Sequence, residues 1–439
     1  MDEPRIDSRT MQGWNALLDH GLEKAASYII RQKADETIEA INGSTGKINY
    51  YGTDAGTVTQ AAINAANNGD IVFLKKGVYT INNTLLIDSK SINLISEGKD
   101  NDFSKLILGN GVNKPMLEIK GGATNATVAD YITVSNILFD GNKVNQTVAN
   151  PIIYVHGHSA DIHLKKLMIN HSKGTGITVQ SDVHNIRKLW MDKVSVENCN
   201  GDAIYLDATN YSIDEICFLR DVEMWGNLRG LHLKNIKQTS TYAFPPRFSI
   251  ENSVAVKNLR EGILLEGCEA IDFFGVSVMS NSYETDNTYD GVRLIDSKYI
   301  NFCGLTSKNY LTGILAKHQR YGISSEGTSD YITVLGKDFS DNKTGPVSFV
   351  GTHNSFKDVL GYVTENSGTA TFNGTGAQTV FTIAHNLALP PTHVNLEAKT
   401  ADASGVKYWS ADATNITVTF ITAPPSGTNN VVIGWKAEV

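Results

Sequence analysis

Acidic, basic and aromatic side chains recur at two fixed positions in successive segments of the chain. Each segment opens with an apolar anchor residue, and most of the residues one and three places after the anchors are polar or aromatic, with Leu264, Ile295 and Leu315 among the exceptions. In the middle of the chain these positions hold Tyr205, Asp207, His232, Lys234, Glu266 and Arg293. If each segment is a β-strand, these side chains point to one side and form an outward patch. Carboxylates, a histidine and cations in one patch would be able to perform general acid–base chemistry.

Asp207 and Glu266 are the first candidate catalytic pair. They occupy equivalent positions two segments apart. Stacked strands lie about 4.8 Å from each other, so the backbones of this pair should be about 9 to 10 Å apart. Inverting glycosidases keep two carboxyl groups about 6.5 to 9.5 Å apart, so that a water molecule fits between them. Lys234 lies between the two and would favour ionisation of both, which disfavours a general-acid role for either.

The same patch also fits β-elimination. In that reaction a base removes the proton next to a uronate carboxylate, and cations stabilise the negative charge that develops. His232, Lys234 and Arg293 are the residue types that this chemistry requires. Both chemistries are therefore compatible with the sequence.

A second group of candidates lies on the strand and turn that precede each anchor. Glu223 and Trp225 would point outward from one such strand, Asp202 lies in a turn, and Arg229 follows Trp225. An exposed tryptophan beside carboxylates would offer an apolar ring on which a sugar can stack. The candidate catalytic residues are therefore Asp207, Glu266, Asp202 and Glu223. The candidate binding residues are Tyr205, Trp225, Arg229, His232, Lys234, Arg293 and Tyr242, the last in an insertion at residues 238–247 that interrupts the repeat.

These residues require a repeating scaffold, and the anchors indicate one. Seven anchors follow one another at intervals of 27, 27, 32, 29, 22 and 33 residues: Ile177, Ile204, Leu231, Ile263, Val292, Ile314 and Val347. Such periods are typical of repeats that bury a core only by stacking. Alternating Val, Ile, Thr and Phe favour a parallel β-helix over a helical repeat. Asparagines before the anchors would turn the chain and hydrogen-bond their copies in adjacent coils: Asn198, Asn227, Asn258, Asn309 and Asn342.

Composition limits the partners. The 439-residue chain has 38 glycines and 19% charged residues, which suits a turn-rich β protein, and its net charge of −8 argues against nucleic acid. The sequence has no run of 18 apolar residues, so we expect no transmembrane helix, and its polar, acidic start does not resemble a secretory signal. Four cysteines without CxxC spacing indicate buried thiols. We expect no cofactor and no metal, because the acidic residues 284–290 do not match a calcium-binding loop.

The two ends of the chain differ from the repeat. Trp14, Leu17, Leu22 and Ile29 fit helical spacing, and Ile38 and Ile41 extend it, which predicts a helical neck or attachment segment over residues 1–45. The β-helix would occupy residues 46–365. Short alternating strands separated by proline turns predict a small antiparallel β-sandwich over residues 366–439, for trimerisation or carbohydrate binding.

The start of the repeat resembles the pectate-lyase-like superfamily. The matching residues are Asn49 to Gly52, the helix-like stretch Thr57 to Ala66, and Gly69 to Ile81, although Lys75 and Lys76 replace the usual proline. This resemblance implies a single-stranded right-handed parallel β-helix. The Asn-Thr-Asp and Gly-His-Gly motifs of polygalacturonases are absent, which argues against that activity.

The order of the three parts resembles a bacteriophage tailspike or a similar virion-associated depolymerase. The resemblance implies a homotrimer on the phage tail that acts outside the cell, with attachment to other tail proteins through the N-terminus. It also implies binding, and hydrolysis of glycosidic bonds, in a bacterial surface polysaccharide such as capsule, exopolysaccharide or O-antigen. A polysaccharide lyase and a non-enzymatic receptor-binding fibre are the alternatives.

Overall fold

A parallel β-solenoid forms most of the chain in a computed structural model, which describes residues 26–98, 103–237, 247–310 and 318–439. Each coil places one strand in a ten-stranded parallel sheet. In order along the solenoid, these strands are Leu85–Asp88, Leu117–Lys120, Ile153–His156, Ile177–Gln180, Ile204–Asp207, Leu231–Lys234, Ile263–Glu266, Val292–Ile295, Tyr321–Glu326 and Gly345–Ser348. The predicted parallel β-helix is confirmed.

A 20-stranded sheet forms the other two sides of each coil. Its long strands bend, so that Ser159–Asn170 pairs first with Ala129–Ser135 and then with Ile137–Asp140. The strands are Tyr28–Gln32, Ile38–Asn42, Ile48–Gly52, Ile71–Leu74, Val78–Ile81, Asn93–Ser96, Ser104–Leu108, Ala129–Ser135, Ile137–Asp140, Ser159–Asn170, Ile186–Glu197, Ile213–Arg220, Glu223–Trp225, Arg247–Glu251, Val254–Val256, Glu269–Phe274, Ser277–Met279, Lys298–Lys308, Asp330–Asp338 and Ser355–Lys357.

Single residues with a left-handed backbone turn the chain at the corners of the coils. Directly after strands of the ten-stranded sheet, φ lies between 50° and 69° at Ser89, Gly157, Asn235, Gly267, Asp296 and Gly327. Glycine, asparagine and aspartate adopt this conformation at the lowest cost, and only as single residues. The small and polar residues that end these strands therefore define the shape of each coil.

The anchor residues fill the interior of the solenoid. Ile177, Ile204, Leu231, Ile263 and Val292 are fully buried, as their spacing predicts. The predicted anchor Ile314 lies outside the described residues. In its coil Ile323 pairs in register with Val292 on one side and Val347 on the other, so Ile323 is the anchor there.

Buried amide side chains form a ladder in the turns before the ten-stranded sheet. Asn227 Nδ2 donates to Asn258 Oδ1 (3.3 Å), and Asn258 Nδ2 donates to Asn281 Oδ1 (3.0 Å). The ladder continues through Gln319 to Asn342. The predicted stacking of asparagines is confirmed for Asn227, Asn258 and Asn342. Asn281 and Gln319, which the sequence pattern does not single out, occupy the two positions between Asn258 and Asn342. Asn198 instead forms a left-handed corner, and Asn309 accepts from the backbone of Gln319.

The predicted N-terminal helix is wrong for the part of the segment that the structure describes. Ile29 and Ile41 pair in an antiparallel hairpin of Tyr28–Gln32 with Ile38–Asn42. Tyr28–Gln32 also pairs in parallel with Ile71–Leu74, so backbone pairing with the sheet overrides the helical spacing. Trp14, Leu17 and Leu22 lie outside the described residues.

The described helices are short. The predicted helix near Thr57 is confirmed as Ala55–Ala65, and its buried residues Val58 and Ile63 join the solenoid core. Two 3₁₀ turns, Lys143–Asn145 and Ala401–Ala403, complete the helical content of the described residues. Within the described ranges, no helix combines the length and apolar character that crossing a bilayer requires.

Two three-stranded antiparallel sheets follow the solenoid. One contains Glu365–Gly374, His393–Ala398 and Gly427–Glu438, and the other contains Val380–Ala384, Lys407–Ala411 and Asn415–Phe420. Phe372 of the first sheet contacts Phe381 of the second, with ring centroids 5.1 Å apart. The two sheets share one apolar core, as the predicted β-sandwich requires.

The cysteines correct one detail of the sequence interpretation. Cys199, Cys217 and Cys268 are buried free thiols, whereas Cys303 is exposed. Cys303 lies on Lys298–Lys308 at an outward position, in register with Phe274 and Leu335. Burial raises the pKa of each of the three enclosed thiols to about 12.

Candidate functional site

The outward side of the ten-stranded sheet, here called the site face, carries the predicted patch. Each four-residue strand places its second and fourth side chains on this face. Tyr205 lies in register with His232, and Asp207 lies in register with Lys234, which in turn pairs with Glu266. The expected column Asp207, Lys234, Glu266 is therefore present, with one residue from each of three consecutive coils.

His232 is held between two carboxylates. Its Nδ1 lies 2.9 Å from Oδ2 of Asp202, and its Nε2 lies 3.0 Å from Oε2 of Glu266. The histidine side chain is only 12% exposed. Asp202 reaches the site face from the turn that precedes Ile204–Asp207, so it approaches the imidazole from the side opposite to Glu266.

Two arginines and their carboxylate partners extend this cluster. Arg229 donates to Asp202 (3.2 Å) and to Glu261 (3.1 Å). Arg293 donates to Glu261 (3.3 Å) and to Glu326 (2.9 Å). The Glu261 side chain is 2% exposed and divides its two oxygens between the arginines. Burial acts against the charged form of Arg229, but the two carboxylates outweigh it and raise its pKa.

Asp207 is oriented by neutral donors. The Tyr205 hydroxyl donates to Oδ2 at 3.0 Å, while the Thr209 N–H donates to Oδ1 at 2.9 Å. The Thr209 hydroxyl donates to the same oxygen. Burial, followed by the charge of Asp207, raises the pKa of Tyr205 above its ordinary value, so the phenol keeps its proton. The Tyr205 and His232 rings lie 4.7 Å apart, which joins Asp207 to the His232 cluster.

The structure brings together most of the predicted site residues. On the site face lie Asp202, Tyr205, Asp207, Arg229, His232, Lys234, Glu266 and Arg293. Glu223 and Trp225 lie in the other sheet, on a different side of the coil, where the Lys257 ammonium is 5.7 Å from the Trp225 ring. They do not belong to this cluster, because their strand, Glu223–Trp225, and the strand after the turn, Leu231–Lys234, lie on different sides of the coil. Tyr242 lies outside the described residues.

Sequence reasoning missed a second cluster on the same face. His156 Nε2 lies 2.9 Å from Glu118, and its Nδ1 lies 3.0 Å from Asp182. Tyr154 stacks on His156, with ring centroids 4.3 Å apart, and donates to Gln180 (2.9 Å). The strand Ile153–His156 alternates as the recognised repeats do, so extending the repeat toward the N-terminus would have found it.

The site face near His232 carries more negative than positive groups. Five carboxylates stand against three permanent cations: Asp202, Asp207, Glu261, Glu266 and Glu326, against Arg229, Lys234 and Arg293. Both arginines are already paired with carboxylates. Across the part of the chain that the structure describes, no group of three or more His, Cys, Asp or Glu side chains could hold a metal ion.

Comparison with known proteins gives similarity of fold. No protein-family model matches the sequence, and no curated protein matches it. Tailspike protein 2 of the Escherichia coli O157:H7 bacteriophage CAB120 is 11% identical, with a TM-score of 0.49; the match covers 88% of this chain and 61% of that protein. ORF18 of Geobacillus virus E2 is 13% identical, with a TM-score of 0.40, over 98% of this chain and 82% of that one.

An enzyme structure also has this kind of fold. The A-module of a mannuronan C-5 epimerase from Azotobacter vinelandii is 14% identical, with a TM-score of 0.42, and the match covers 69% of this chain and 96% of that module. The strand pairing makes the chain a β-solenoid protein, and the solved structures to which it is similar include bacteriophage tailspike proteins.

Proposed function

We propose that this chain is a tailspike-like depolymerase that binds a bacterial surface polysaccharide on the site face and hydrolyses its glycosidic bonds. Asp207 and Glu266 are the proposed catalytic carboxylates. The observation that carries the proposal is their register, because both pair with Lys234 from opposite sides. Two strand spacings give about 9.6 Å between their backbones. This distance suits side chains that flank a sugar and a water molecule, as in inverting glycosidases.

The neighbours of each carboxylate suggest its role. Asp207, which accepts hydrogen bonds from Tyr205 and Thr209, would take a proton from the attacking water. Glu266 would give a proton to the glycosidic oxygen as the bond to the anomeric carbon breaks. His232 lies 3.0 Å from Glu266 and is itself held by Asp202, so a protonated imidazole would pass its Nε2 proton to the spent Glu266 carboxylate after each cycle. Asp207 would release to solvent the proton taken from water, and solvent would protonate His232 again.

The charge of the site face supports hydrolysis over β-elimination. An elimination site must neutralise a uronate carboxylate on the substrate, usually with a free cation. Here Arg229 is engaged by Asp202 and Glu261, and Arg293 is engaged by Glu261 and Glu326. Lys234, the third cation, lies in register between the carboxylates Asp207 and Glu266. A uronate would meet an excess of negative charge, whereas a glycan without acidic groups would donate its hydroxyls to the same carboxylates.

The test is incubation of the purified protein with a panel of bacterial capsular polysaccharides, exopolysaccharides and O-antigens. Reducing ends and the ultraviolet absorbance of unsaturated uronates are followed in the same samples. We expect reducing ends without absorbance, and an inverted anomeric configuration by NMR in the first product formed. Asp207→Asn and Glu266→Gln should each lower kcat by about 10²- to 10⁴-fold.

The matched control is Glu269→Gln, which removes a carboxylate that pairs with Lys237 away from the site face. This variant should keep the wild-type rate. Absorbance together with reducing ends would instead assign the lyase reaction. Binding without any cleavage would assign a receptor-binding fibre, and full activity of Asp207→Asn would remove that residue from the mechanism.

Location and assembly belong to the same proposal. We infer a homotrimer on the phage tail that acts outside the cell, with other tail proteins contacting its N-terminal segment. A β-solenoid followed by a β-sandwich, in the order described for tailspike-like chains above, supports this assignment. Sedimentation equilibrium of the full chain should give three times the mass of 47.8 kDa, and a monomer would refute the trimer.

A further inference from the structure

The cluster around His156 repeats the arrangement around His232. In each, an imidazole that is almost buried bridges two carboxylates: Glu118 and Asp182 for His156, and Asp202 and Glu266 for His232. The exposed fractions of the two histidine side chains are 13% and 12%. A tyrosine ring contacts each imidazole, Tyr154 in the first cluster and Tyr205 in the second.

One unbroken polar column connects His156 of the first cluster with Glu266 of the second. His156, Gln180, Asp207, Lys234 and Glu266 are in register on five consecutive strands of the ten-stranded sheet. No apolar side chain interrupts this column until Ile295, which pairs with Glu266. From the strand of Glu118 to the strand of Glu266 there are five strand spacings, or about 24 Å. This length exceeds what a single sugar residue can contact.

The groups of the His156 cluster suit hydroxyl recognition. Glu118 and Asp182 are one-quarter exposed or more at the side chain, so each keeps acceptor capacity toward solvent. Burial raises the pKa of Tyr154 to about 12, with Asp182, Glu118 and Asp207 adding to the effect. The Tyr154 phenol therefore stays neutral: its proton is donated to Gln180 (2.9 Å), and its oxygen can accept a hydrogen bond from a sugar hydroxyl. A sugar residue presents several such hydroxyls.

We propose that Glu118, Tyr154, His156 and Asp182 form a second sugar-binding subsite, so that the ligand is a glycan chain lying along the solenoid axis between the two histidine clusters. This inference rests on the proposed function and adds a position remote from the cleaved bond. The subsite would contribute affinity for chains long enough to reach it. It would leave the chemistry at Asp207 and Glu266 unaltered.

The test measures binding as a function of glycan length. The probes are size-fractionated fragments, from disaccharide upward, of the polysaccharide that the wild-type protein binds in the panel. They are titrated calorimetrically into Asp207→Asn protein, which should cleave them at least about 100-fold more slowly than the wild type, with and without the additional changes Tyr154→Phe and Glu118→Gln. Two lost hydrogen bonds should raise the Kd of long fragments about tenfold and leave the Kd of disaccharides unchanged.

The control carries Tyr131→Phe and Glu269→Gln in the same Asp207→Asn background. Both residues lie in the other sheet, and the Tyr131 side chain is exposed. This pair should not change any Kd. Equal weakening of short and long fragments, or no weakening of long ones, overturns the second subsite and leaves the proposed function standing. Failure of the wild-type protein to bind any polysaccharide in the panel overturns both.

Discussion

His232 Nε2 and Glu266 Oε2 lie 3.0 Å apart on adjacent strands of the ten-stranded sheet. Asp202 fixes the opposite nitrogen at 2.9 Å, so the imidazole cannot rotate without breaking both contacts. In the proposed mechanism, this contact lets Glu266 give a proton to the leaving oxygen and take one from His232.

The first prediction concerns this proton transfer. His232→Gln keeps a polar group near Asp202 and Glu266 but cannot hold and return a proton. We expect kcat to fall about 10²-fold while KM changes little, because the group acts on the chemical step. Steady-state assays on the cleaved polysaccharide measure both constants. A rise in KM at constant kcat would instead make His232 a binding residue.

The second prediction concerns the amide ladder. Asn258 is fully buried and bonds to Asn227, Asn281 and the Met224 carbonyl. Asn258→Ala would leave buried partners unsatisfied at about 1 to 3 kcal/mol each, so we expect a loss of about 3 kcal/mol in unfolding free energy. Urea denaturation followed by circular dichroism measures it.

The control for the ladder is Asn301→Ala. Asn301 donates to Asp272 in an exposed hydrogen bond, so Asn301→Ala makes the same asparagine-to-alanine change outside the solenoid interior. This control should lose at most about 0.5 kcal/mol. If both variants lose the same amount, the burial of the ladder contributes nothing to stability.

The third prediction concerns pH. The hydrogen bond from Arg293 is the main cause that holds the pKa of Glu326 below its ordinary value of 4.5. A depressed carboxyl pKa stabilises the folded state above the unfolded pKa, and this stabilisation is lost as pH falls through the folded pKa. Because Glu326 is 44% exposed, the contribution at pH 7 should be only about 0.5 kcal/mol.

Glu326→Gln removes this titration. The unfolding free energies of wild type and variant should differ at pH 7 and should converge below pH 4. At pH 7, high salt should reduce the difference, since it screens an exposed pair. A difference that grows on acidification would contradict the assigned ion pair.

The fourth prediction concerns the corner beside His156. Gly157 has φ of 69°, and a Cβ there would clash with the backbone oxygen of Gly121. Its N–H also donates to Asp182 (2.9 Å), so Gly157→Ala should displace that carboxylate. We expect a loss of about 2 to 3 kcal/mol, from left-handed strain and the clash together. Gly111 has nearly the same φ, 66°, with open space around a new Cβ, so Gly111→Ala measures the left-handed strain alone. If both variants lose equal stability in thermal denaturation, the backbone relieves the clash at residue 157.

The site columns could be predicted because strand alternation and the anchors define which side chains point outward. Tyr205, Asp207, His232, Lys234 and Glu266 follow from that rule alone. Side chains in turns do not, since their direction depends on backbone angles that the sequence pattern does not specify. Asp202 contacts His232, although the sequence pattern grouped it with Glu223 and Trp225, and the pattern does not single out Glu261, two turns later.

The sequence pattern also gave a wrong prediction where the spacing of apolar residues fits a helix but the segment forms a strand. Ile38 and Ile41 are three residues apart, which fits a helix, yet they occupy a five-residue strand with buried residues in succession. The first coils were missed for a different reason. The anchors Leu117 and Ile153 are 36 residues apart, a longer interval than those between later anchors, so the repeat was recognised only from Ile177 onward.

The single-residue corners separate the parts of the chain that tolerate insertion from those that do not. An extra residue at Asn235 or Asp296 would exchange the inner and outer side chains of the strand that follows. The turns that lead into the ten-stranded sheet differ in length, since one spans residues 198–203 and another spans residues 280–291. A longer turn must keep the buried amide ladder and the contact between Asp202 and His232. Mutation can therefore lengthen these turns, which border the site face, while the ten-stranded sheet keeps its register. Under the proposed function, new glycan specificities would arise in these turns, coil by coil, while Asp207 and Glu266 keep their positions.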